Sequence, residues 1–394
     1  MKALKSNGVY ISSMQKIARH LIYTHKLSES FYVANMSVLR KKIFNWSEQL
    51  PNVRPFYAVK CNPDNEMMKE MLKKGVGFDV ASRRELDAAL AAGANPGDDI
   101  IFANPVKRRE DLEYATGLGV VMTTFDSINE LQKIEKNAQT PGVKALLRLR
   151  INNPTARIQL GTKYGVGWDE YKEVIDKAKI KEVGVDIAGV SFHVGSASQD
   201  PFVYREALVF SKIVIDYARQ AGFDMRILDI GGGFTGAGFN DCARILREDL
   251  VNFRDMQVIA EPGRYFAEDV FTFFTPVIGQ RERKGKREYW IGDGLYGSFN
   301  CVLYDEQMPE FMVVRNPLLQ EDCKLGYDVP SIIQGATCDS RDTINKTFML
   351  PRLRDEDYLM IPRFGAYTLA GACDFNGINM MNPRIFYLDG HELS

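Results

Sequence analysis

The sequence predicts an α/β fold, a (β/α)8 barrel of the TIM type followed by a smaller, mainly β domain. Two observations predict the barrel. Eight short apolar runs lie between residues 57 and 261, and most are continuous rather than alternating, which is typical of parallel strands buried on both faces. Helix-like stretches separate most of these runs, and such repeated units suit a closed barrel. A doubly wound open sheet is the main alternative.

The predicted strands of the barrel follow one another at short intervals: 57–60, 77–80, 100–103, 120–123, 145–150, 189–193, 226–230 and 258–261. Helices are predicted between them, for example over 84–92 and 127–136. After about residue 270 strand-like segments recur with few helical stretches, at 271–274, 287–291, 331–333, 358–361 and 385–388. We therefore expect a barrel over 30–270, entered through a strand at 31–34, and a β-rich domain formed by 1–29 and 271–394.

Composition bounds the class of protein. The chain has 394 residues, too many for one ordinary core, and 45% are hydrophobic and 26% charged, as in soluble globular proteins. Fifty basic and 51 acidic residues give a net charge of −1, so no basic excess indicates nucleic acid. No apolar stretch reaches membrane-spanning length, and the first eight residues lack the apolar block of a secretory signal. We expect a cytoplasmic protein.

Cysteine and histidine are sparse. Six cysteines stand at 61, 242, 301, 323, 338 and 373 without a CxxC pair, so neither a zinc site nor a disulfide framework is expected. Of four histidines, at 20, 25, 193 and 391, only His193 lies in the interior of the sequence, within an apolar run.

Polar residues collect where the predicted barrel strands end, the place where barrel enzymes carry their chemistry. They are Lys60, Asp79, Arg150, His193, Gly231 and Glu261. An amine that ends an apolar strand is partly stripped of water, loses protons more easily and can attack a carbonyl. Packing alone rarely places so many polar groups together, because buried charges cost free energy unless they are paired.

The last two strand ends predict a phosphate site. Gly231-Gly232-Gly233 lets backbone N–H groups approach an anion closely, and Arg264 in Glu261-Pro262-Gly263-Arg264 adds a charge. Gly-Gly-Gly alone is better explained by a tight turn, and the Glu-Pro-Gly-Arg segment in the next loop shifts the balance to a phosphate site. A lysine beside a phosphate site indicates pyridoxal 5'-phosphate, with Glu261 at the pyridine nitrogen and His193 stacked on the ring. His193 could otherwise be a core histidine bonded to a backbone carbonyl.

With these motifs the chain resembles the fold-type III pyridoxal-phosphate decarboxylases, specifically the eukaryotic-type ornithine decarboxylase group. The resemblance covers nearly the whole chain in order, through residues 56–62, 78–82, 191–196, 229–234, 261–265, 296–300, 303–305, 338–339 and 365–368. It implies that Lys60 is the Schiff-base lysine, with Asp79 and Arg150 around the lysine and the ring oxygen. The other implied cofactor contacts, mostly to the phosphate, are Ser196, Gly232, Gly233, Pro262, Gly263, Arg264 and Tyr367.

The resemblance also implies a homodimer whose active sites are shared across the interface. Cys338 would then reach the cofactor of the partner subunit as proton donor, and Lys60 and His193 complete the implied catalytic set. Asp305 and Asp339, with Tyr304, would bind the distal amine of the substrate. The implied reaction is α-decarboxylation of a basic L-amino acid, with conversion of L-ornithine to putrescine in polyamine biosynthesis as the leading expectation.

Several alternatives stay open. Lysine or arginine decarboxylation differs from the ornithine reaction only in pocket length, and Arg341 adds a charge near the implied amine site where ornithine enzymes usually have an apolar residue. Diaminopimelate decarboxylases typically carry Cys-Glu-Ser, against Cys338-Asp339 here. Alanine racemases place arginine beside the pyridine nitrogen. A catalytically dead homologue that regulates polyamine metabolism tends to lose the lysine, the phosphate loop or the cysteine, all of which are present.

Overall fold

The computed structural model of the chain describes residues 2–180, 184–319 and 326–390. The chain divides into two compact units, one built from 39–266 and the other from 1–38 with 267–394. The division differs from the predicted 30–270 because helix α1 (Lys2–His25) leads into strand β1 (Phe31–Asn35), which hydrogen-bonds to strands of the second unit. Cys323 and His391 lie outside the described residues.

The unit over 39–266 is a closed barrel of eight parallel strands. In chain order they are β2 (Val53–Ala58), β3 (Gly77–Val80), β4 (Ile100–Phe102), β5 (Met122–Phe125), β6 (Lys144–Leu149), β7 (Asp186–Phe192), β8 (Ile227–Asp229) and β9 (Gln257–Ala260). The pairing of Val53 on β2 with Val258 on β9 closes the cylinder. The predicted barrel is therefore confirmed, and the open-sheet alternative is wrong.

Helices follow most of the barrel strands. They are α2 (Met36–Gln49), α3 (Asn65–Leu72), α4 (Arg83–Ala91), α5 (Pro96–Asp99), α6 (Arg109–Gly117), α7 (Ile128–Asn137), α8 (Tyr171–Ile180), α9 (Val203–Gln220), α10 (Phe239–Asp249) and α11 (Arg264–Ala267). Ser82 and Ser127 accept a backbone N–H in the first turns of α4 and α7, and such caps contribute about 1 kcal/mol each. The helices predicted over 84–92 and 127–136 are confirmed.

Apolar side chains from the barrel strands fill the cylinder. The buried cluster consists of Phe56, Ile101, Ala103, Met122, Leu146, Ala188, Ile227 and Ile259. On β7, a Cβ added to Gly189 would lie 1.8 Å from the carbonyl oxygen of Ile227, so only glycine permits this approach of β7 to β8. Because the interior is packed, polar chemistry is confined to the ends of the strands.

A buried ion cluster links the loop after β4 to strand β5 and helix α7. The Lys107 amine is fully buried, lies 2.9 Å from the Glu130 carboxylate, and donates to the carbonyl oxygens of Asn104 and Thr124 at 2.9 and 2.7 Å. Burial lowers the pKa of Lys107 to about 8. The amine loses its hydration and in exchange joins the loop to Thr124 on β5 and Glu130 on α7.

Replacement of Lys107 by methionine is expected to destabilise the protein by about 3–5 kcal/mol, because it leaves the carboxylate of Glu130 buried and short of one partner. The measurement is the shift of the urea midpoint. Lys136→Met is the matched control, since Lys136 is exposed on the same helix, α7. A midpoint as little changed by Lys107→Met as by the control would contradict a structural role for the cluster.

The second unit contains an eight-stranded sheet. Besides β1 it has β10 (Phe271–Arg283), β11 (Lys286–Ile291), β12 (Met312–Val314), β13 (Val329–Gln334), β14 (Thr343–Leu350), β15 (Tyr358–Ile361) and β16 (Arg384–Leu388), and helix α12 (Cys301–Tyr304) precedes β12. The sheet order is β12-β15-β10-β11-β13-β14, with β1 between β10 and β16. The five strands predicted for this part are present, while β12 and β14 were not predicted.

The N-terminal segment forms helix α1 and clusters with 267–394, the part of the chain with which 1–29 was expected to associate. Met14, Ala18 and Ile22 recur every four residues on α1 and are fully buried against the sheet residues Phe31 and Phe274. This spacing places them on one face of a helix. Within the described part of the chain, no helix combines the length and the apolar character needed to cross a membrane.

Candidate active site

Lys60 lies just beyond β2, in the single 3-10 turn Val59–Cys61. Its amine donates to Oδ2 of Asp79 at 2.7 Å. The lysine side chain is 41% exposed, whereas that of Asp79 is 1% exposed. Val59 and Cys61 are both buried, so the turn anchors Lys60 between two core residues. The amine is thus oriented by a buried carboxylate and still accessible to a carbonyl ligand.

His193 follows β7 and is neutral at physiological pH. Burial, together with the positive charges of Arg148 and Lys60, holds the pKa of His193 well below its usual value. Its Nδ1 accepts the backbone N–H of Gly195 at 3.0 Å, which in a neutral imidazole leaves the proton on Nε2. The residue therefore offers an uncharged flat ring at the mouth of the barrel.

Glu261 and Asp229 form a buried pair of carboxyl groups at the ends of β9 and β8, with 3% and 0% exposure. Burial and then the neighbouring Asp229 charge raise the pKa of Glu261 well above its usual range. Burial also raises the pKa of Asp229 to about 6. Oε1 of Glu261 has no hydrogen-bond partner among the described residues. This orphaned acceptor fits the protonated nitrogen of a pyridine ring.

Arg148, not Arg150, reaches these groups. The positive charge of Arg148 acts to lower the pKa values of His193, Asp229 and Glu261. Arg148 is itself buried, with 7% exposure. Arg150 instead lies within 3.4 Å of Asp169 and 3.3 Å of Glu170, with a side chain 42% exposed. The structure does not bring the Arg150 side chain to these groups: β6 ends at Leu149, and the N–H of Arg150 donates to the carbonyl oxygen of Val166.

The glycine loop and its neighbours form a cradle suited to an anion. Gly231 and Gly233 have φ of +60° and +107°, and a Cβ on Gly231 would lie 1.9 Å from the carbonyl oxygen of Phe192. A Cβ on Gly232 would lie 2.7 Å from Nε2 of His193. Arg264 donates to the hydroxyl of Ser196 at 3.0 Å. Backbone N–H groups in such a loop, beside a guanidinium, match a phosphate.

The remaining predicted cofactor residues are placed as follows. The Pro262 carbonyl accepts the N–H of Ala58 at 3.2 Å, and the Gly263 carbonyl accepts that of Phe266 at 3.1 Å, so both shape the turn into α11. Tyr367 belongs to the second unit, where it is half-buried and has a positive φ of 58°. A positive φ is unusual for a bulky residue and marks a tightly constrained loop.

The predicted substrate residues also lie in the second unit. Asp305 is 4% exposed, and its Oδ2 accepts the amide of Gln307 at 2.7 Å. Oδ2 of Asp339 accepts the hydroxyl of Tyr296 at 2.7 Å. The N–H of Arg341 and then the Tyr296 hydroxyl hold the pKa of Asp339 below its usual range. Cys338 is an exposed free thiol, and Tyr304 is 75% exposed.

The fold and the mouth of the barrel define a pyridoxal-phosphate enzyme. Residues 36–268 match the family model described as pyridoxal-dependent decarboxylase, pyridoxal binding domain. The chloroplastic ornithine decarboxylase of Nicotiana glauca is 40% identical over 91% of this chain and 84% of its own length. The ornithine decarboxylase of Schizosaccharomyces pombe is 38% identical over 92% and 84% of the two chains.

Solved structures agree. The arginine decarboxylase of Paramecium bursaria Chlorella virus superposes with a TM-score of 0.88 and 35% identity, covering 95% of this chain and 100% of that one. The lysine/ornithine decarboxylase of Vibrio vulnificus, complexed with putrescine, gives 0.83 and 29% over 95% and 98%. This chain belongs to the pyridoxal-dependent decarboxylase family. It is a carboxy-lyase whose cofactor, pyridoxal 5'-phosphate, supplies the electron sink when bound.

Two residues of this mouth were missed from the sequence, Arg148 and Asp229. Each stands inside a strand rather than just after one, at the fifth of the six residues of β6 and at the last residue of β8. A buried charge within a continuous apolar run was the available signal, because such a charge is costly unless it has a partner.

Proposed function

We propose that this decarboxylase acts on the α-carboxylate of a basic L-amino acid, with L-ornithine and its product putrescine as the leading pair. The observation that carries the proposal is the retention of two carboxylates, Asp305 and Asp339, at the positions that the resemblance assigns to the distal amine. The similarity to ornithine decarboxylases over nearly the whole chain supports it.

In the barrel, we assign roles by geometry. Lys60, oriented by Asp79, would anchor the cofactor through its amine. His193 would lie against the ring as a neutral plane, and Glu261 would hold the pyridine nitrogen. Arg148, taking the place expected for Arg150, balances the buried carboxylates by charge. The residues proposed to contact the phosphate end of the cofactor are Ser196, Gly232, Gly233, Pro262, Gly263, Arg264 and Tyr367.

The protein is further proposed to act as a cytoplasmic homodimer in which Cys338 serves the active site of the partner subunit. The exposed thiol of Cys338 and the exposed ring of Tyr304 support this assignment, since both are available to a second copy. The Cys338 N–H bonds to the side-chain oxygen of Asn376 at 3.0 Å, which fixes the loop that carries the thiol. Cys338 would deliver the proton that replaces the carboxylate.

The charge on Asp339 explains why a cationic substrate end is preferred. Its lowered pKa keeps the carboxylate ionised at neutral pH. A distal ammonium adds a charge-assisted hydrogen bond, whereas a neutral side chain leaves the carboxylate unmatched. Nε of Arg341 lies 3.5 Å from Oδ1 of Asp339, on a side chain 89% exposed. This arginine therefore competes with the substrate for the same oxygen.

The test is carbon dioxide release from L-ornithine, L-lysine, L-arginine and meso-diaminopimelate, measured side by side. Asp339→Asn is expected to raise KM for the basic substrates roughly 10–100-fold, the loss of one charged hydrogen bond, while Arg341→Leu should lower it. Asp355→Asn, at an exposed position of the same unit, is the control. Diaminopimelate as the best substrate, or an unchanged KM in Asp339→Asn, would count against the proposal.

A further inference from the structure

The buried carboxyl of Asp229 has no assigned contact with the cofactor, yet it lies beside the group that does. Asp229 ends β8 and Glu261 directly follows β9. The two strands are hydrogen-bonded neighbours in which Asp229 stands opposite Ile259. Asp229 is fully buried. A buried carboxyl costs free energy unless it is compensated, so its presence at this place calls for a chemical reason.

The oxygens of this pair are incompletely satisfied. Oδ1 of Asp229 accepts the N–H of Gly231 at 2.8 Å and so braces the left-handed turn of the glycine loop. Oδ2 of Asp229 and Oε1 of Glu261 are buried and receive no donor from the other described residues, whereas a hydrogen bond between the two side chains acts to lower the pKa of Asp229. Two neighbouring carboxyl groups in a dry site do not both ionise readily, and one proton remains with the pair.

The charges that face Glu261 come from the surrounding strand ends: Lys60 after β2, Asp79 on β3, Arg148 on β6 and Asp229 on β8, with His193 neutral after β7. The two cations favour an ionised Glu261, while burial and the two aspartates oppose it. Among the aspartates, Asp229 exerts the larger influence on Glu261. Burial and then the charge of the neighbouring Asp229 therefore both favour a proton on Glu261.

We propose that Asp229 is a positioning residue that keeps the Glu261 carboxyl protonated until a pyridine nitrogen is bound and then stabilises the protonated ring by its negative charge. The inference rests on the proposed role of Glu261. Glu261 gives its proton to the ring nitrogen and becomes a carboxylate, so one O–H bond is exchanged for one N–H bond. Asp229 acts without touching the ring, because a nearby anion raises the proton affinity of the whole pair.

Asp229→Asn removes the negative charge but keeps the backbone hydrogen bond, because asparagine retains an oxygen that accepts the N–H of Gly231. Ser191→Ala is the matched control, because Ser191 is buried, uncharged and directly opposite Asp229 on β7. In cofactor-free protein, the infrared band of the protonated Glu261 carboxyl is identified by its absence from Glu261→Gln. This band should disappear at a lower pH in Asp229→Asn than in the wild type or the control. The Kd for pyridoxal 5'-phosphate should rise roughly tenfold, the equivalent of one pKa unit.

Asp229→Ala provides the decisive comparison. If only Asp229→Ala loses cofactor affinity, while Asp229→Asn keeps both the wild-type band midpoint and the wild-type Kd, then Asp229 merely braces Gly231 and the proposal is overturned. Should Asp229→Asn not fold, wild-type protein labelled with 13C-aspartate decides, since a protonated Asp229 at neutral pH would also overturn it. If the proposed role of Glu261 at the pyridine nitrogen is itself wrong, Glu261→Gln will bind the cofactor and turn over normally.

Discussion

Lys60→Ala is expected to abolish the visible absorption of the lysine-bound cofactor and to reduce turnover by several orders of magnitude. The amine lies at a strand end, is ion-paired to Asp79 and remains 41% exposed. Its loss removes the covalent anchor and the group that releases the product. Absorption spectra and carbon dioxide release are the measurements.

Lys73→Ala is the control for this experiment, because Lys73 is exposed at the end of α3 and its side chain is 72% accessible. The control should retain the spectrum and the rate. Removal of Lys60 also leaves Asp79 buried without its cation, so thermal stability should be recorded in parallel. A visible cofactor band and normal turnover in Lys60→Ala would exclude this lysine as the anchor.

Glu261→Gln is expected to lower kcat by roughly 10²–10³-fold, the usual loss when a group that stabilises developing charge is neutralised. Glutamine preserves the shape of the side chain but cannot hold the pyridine nitrogen in its protonated form. The ring then withdraws electrons less strongly as carbon dioxide departs. Stopped-flow measurement of the chemical step distinguishes this effect from slower product release.

The pH dependence of Glu261→Gln gives a second readout. Because the folded pKa of Glu261 is raised, its protonated form contributes stability below the ordinary glutamate pKa, and that contribution is lost as pH rises through the folded value. Glutamine cannot ionise, so cofactor-free Glu261→Gln should lose less stability than wild type as pH rises over this interval. Glu110→Gln, at an exposed position on α6, should behave as wild type in both rate and stability.

Much of the barrel could be predicted because its strands are continuous apolar runs, which local sequence reveals directly. The β-rich unit was less predictable. Strand β12 is only three residues long, Met-Val-Val, and too short to stand out, whereas polar and charged positions interrupt the apolar residues of β14. Helix α1 was not predicted, although Met14, Ala18 and Ile22 have helical spacing and further apolar residues of the same segment pack beside them.

Within the candidate site, the residue types were easier to predict than their placement. Lys60, Asp79, His193 and Glu261 do lie at the same end of the barrel, as their positions at the ends of predicted strands indicated. Arg148 and Arg150 could not be separated by pattern alone, because residues two positions apart share a face of an extended strand. Only the end of β6 at Leu149 decides between them. Coupling between Asp229 and Glu261 likewise depends on which strands become neighbours on closure.

The division of the chain has an evolutionary consequence. All but one of the residues assigned to the vitamin-derived group fall within the unit formed by 39–266, whereas those assigned to the far end of the amino acid fall in the unit formed by both chain termini. Mutations that retune substrate length can therefore accumulate in one unit while Lys60, His193 and Glu261 in the other are left untouched. Enzymes with different diamine products could therefore diverge through changes in the unit formed by both chain termini, while the barrel stays the same.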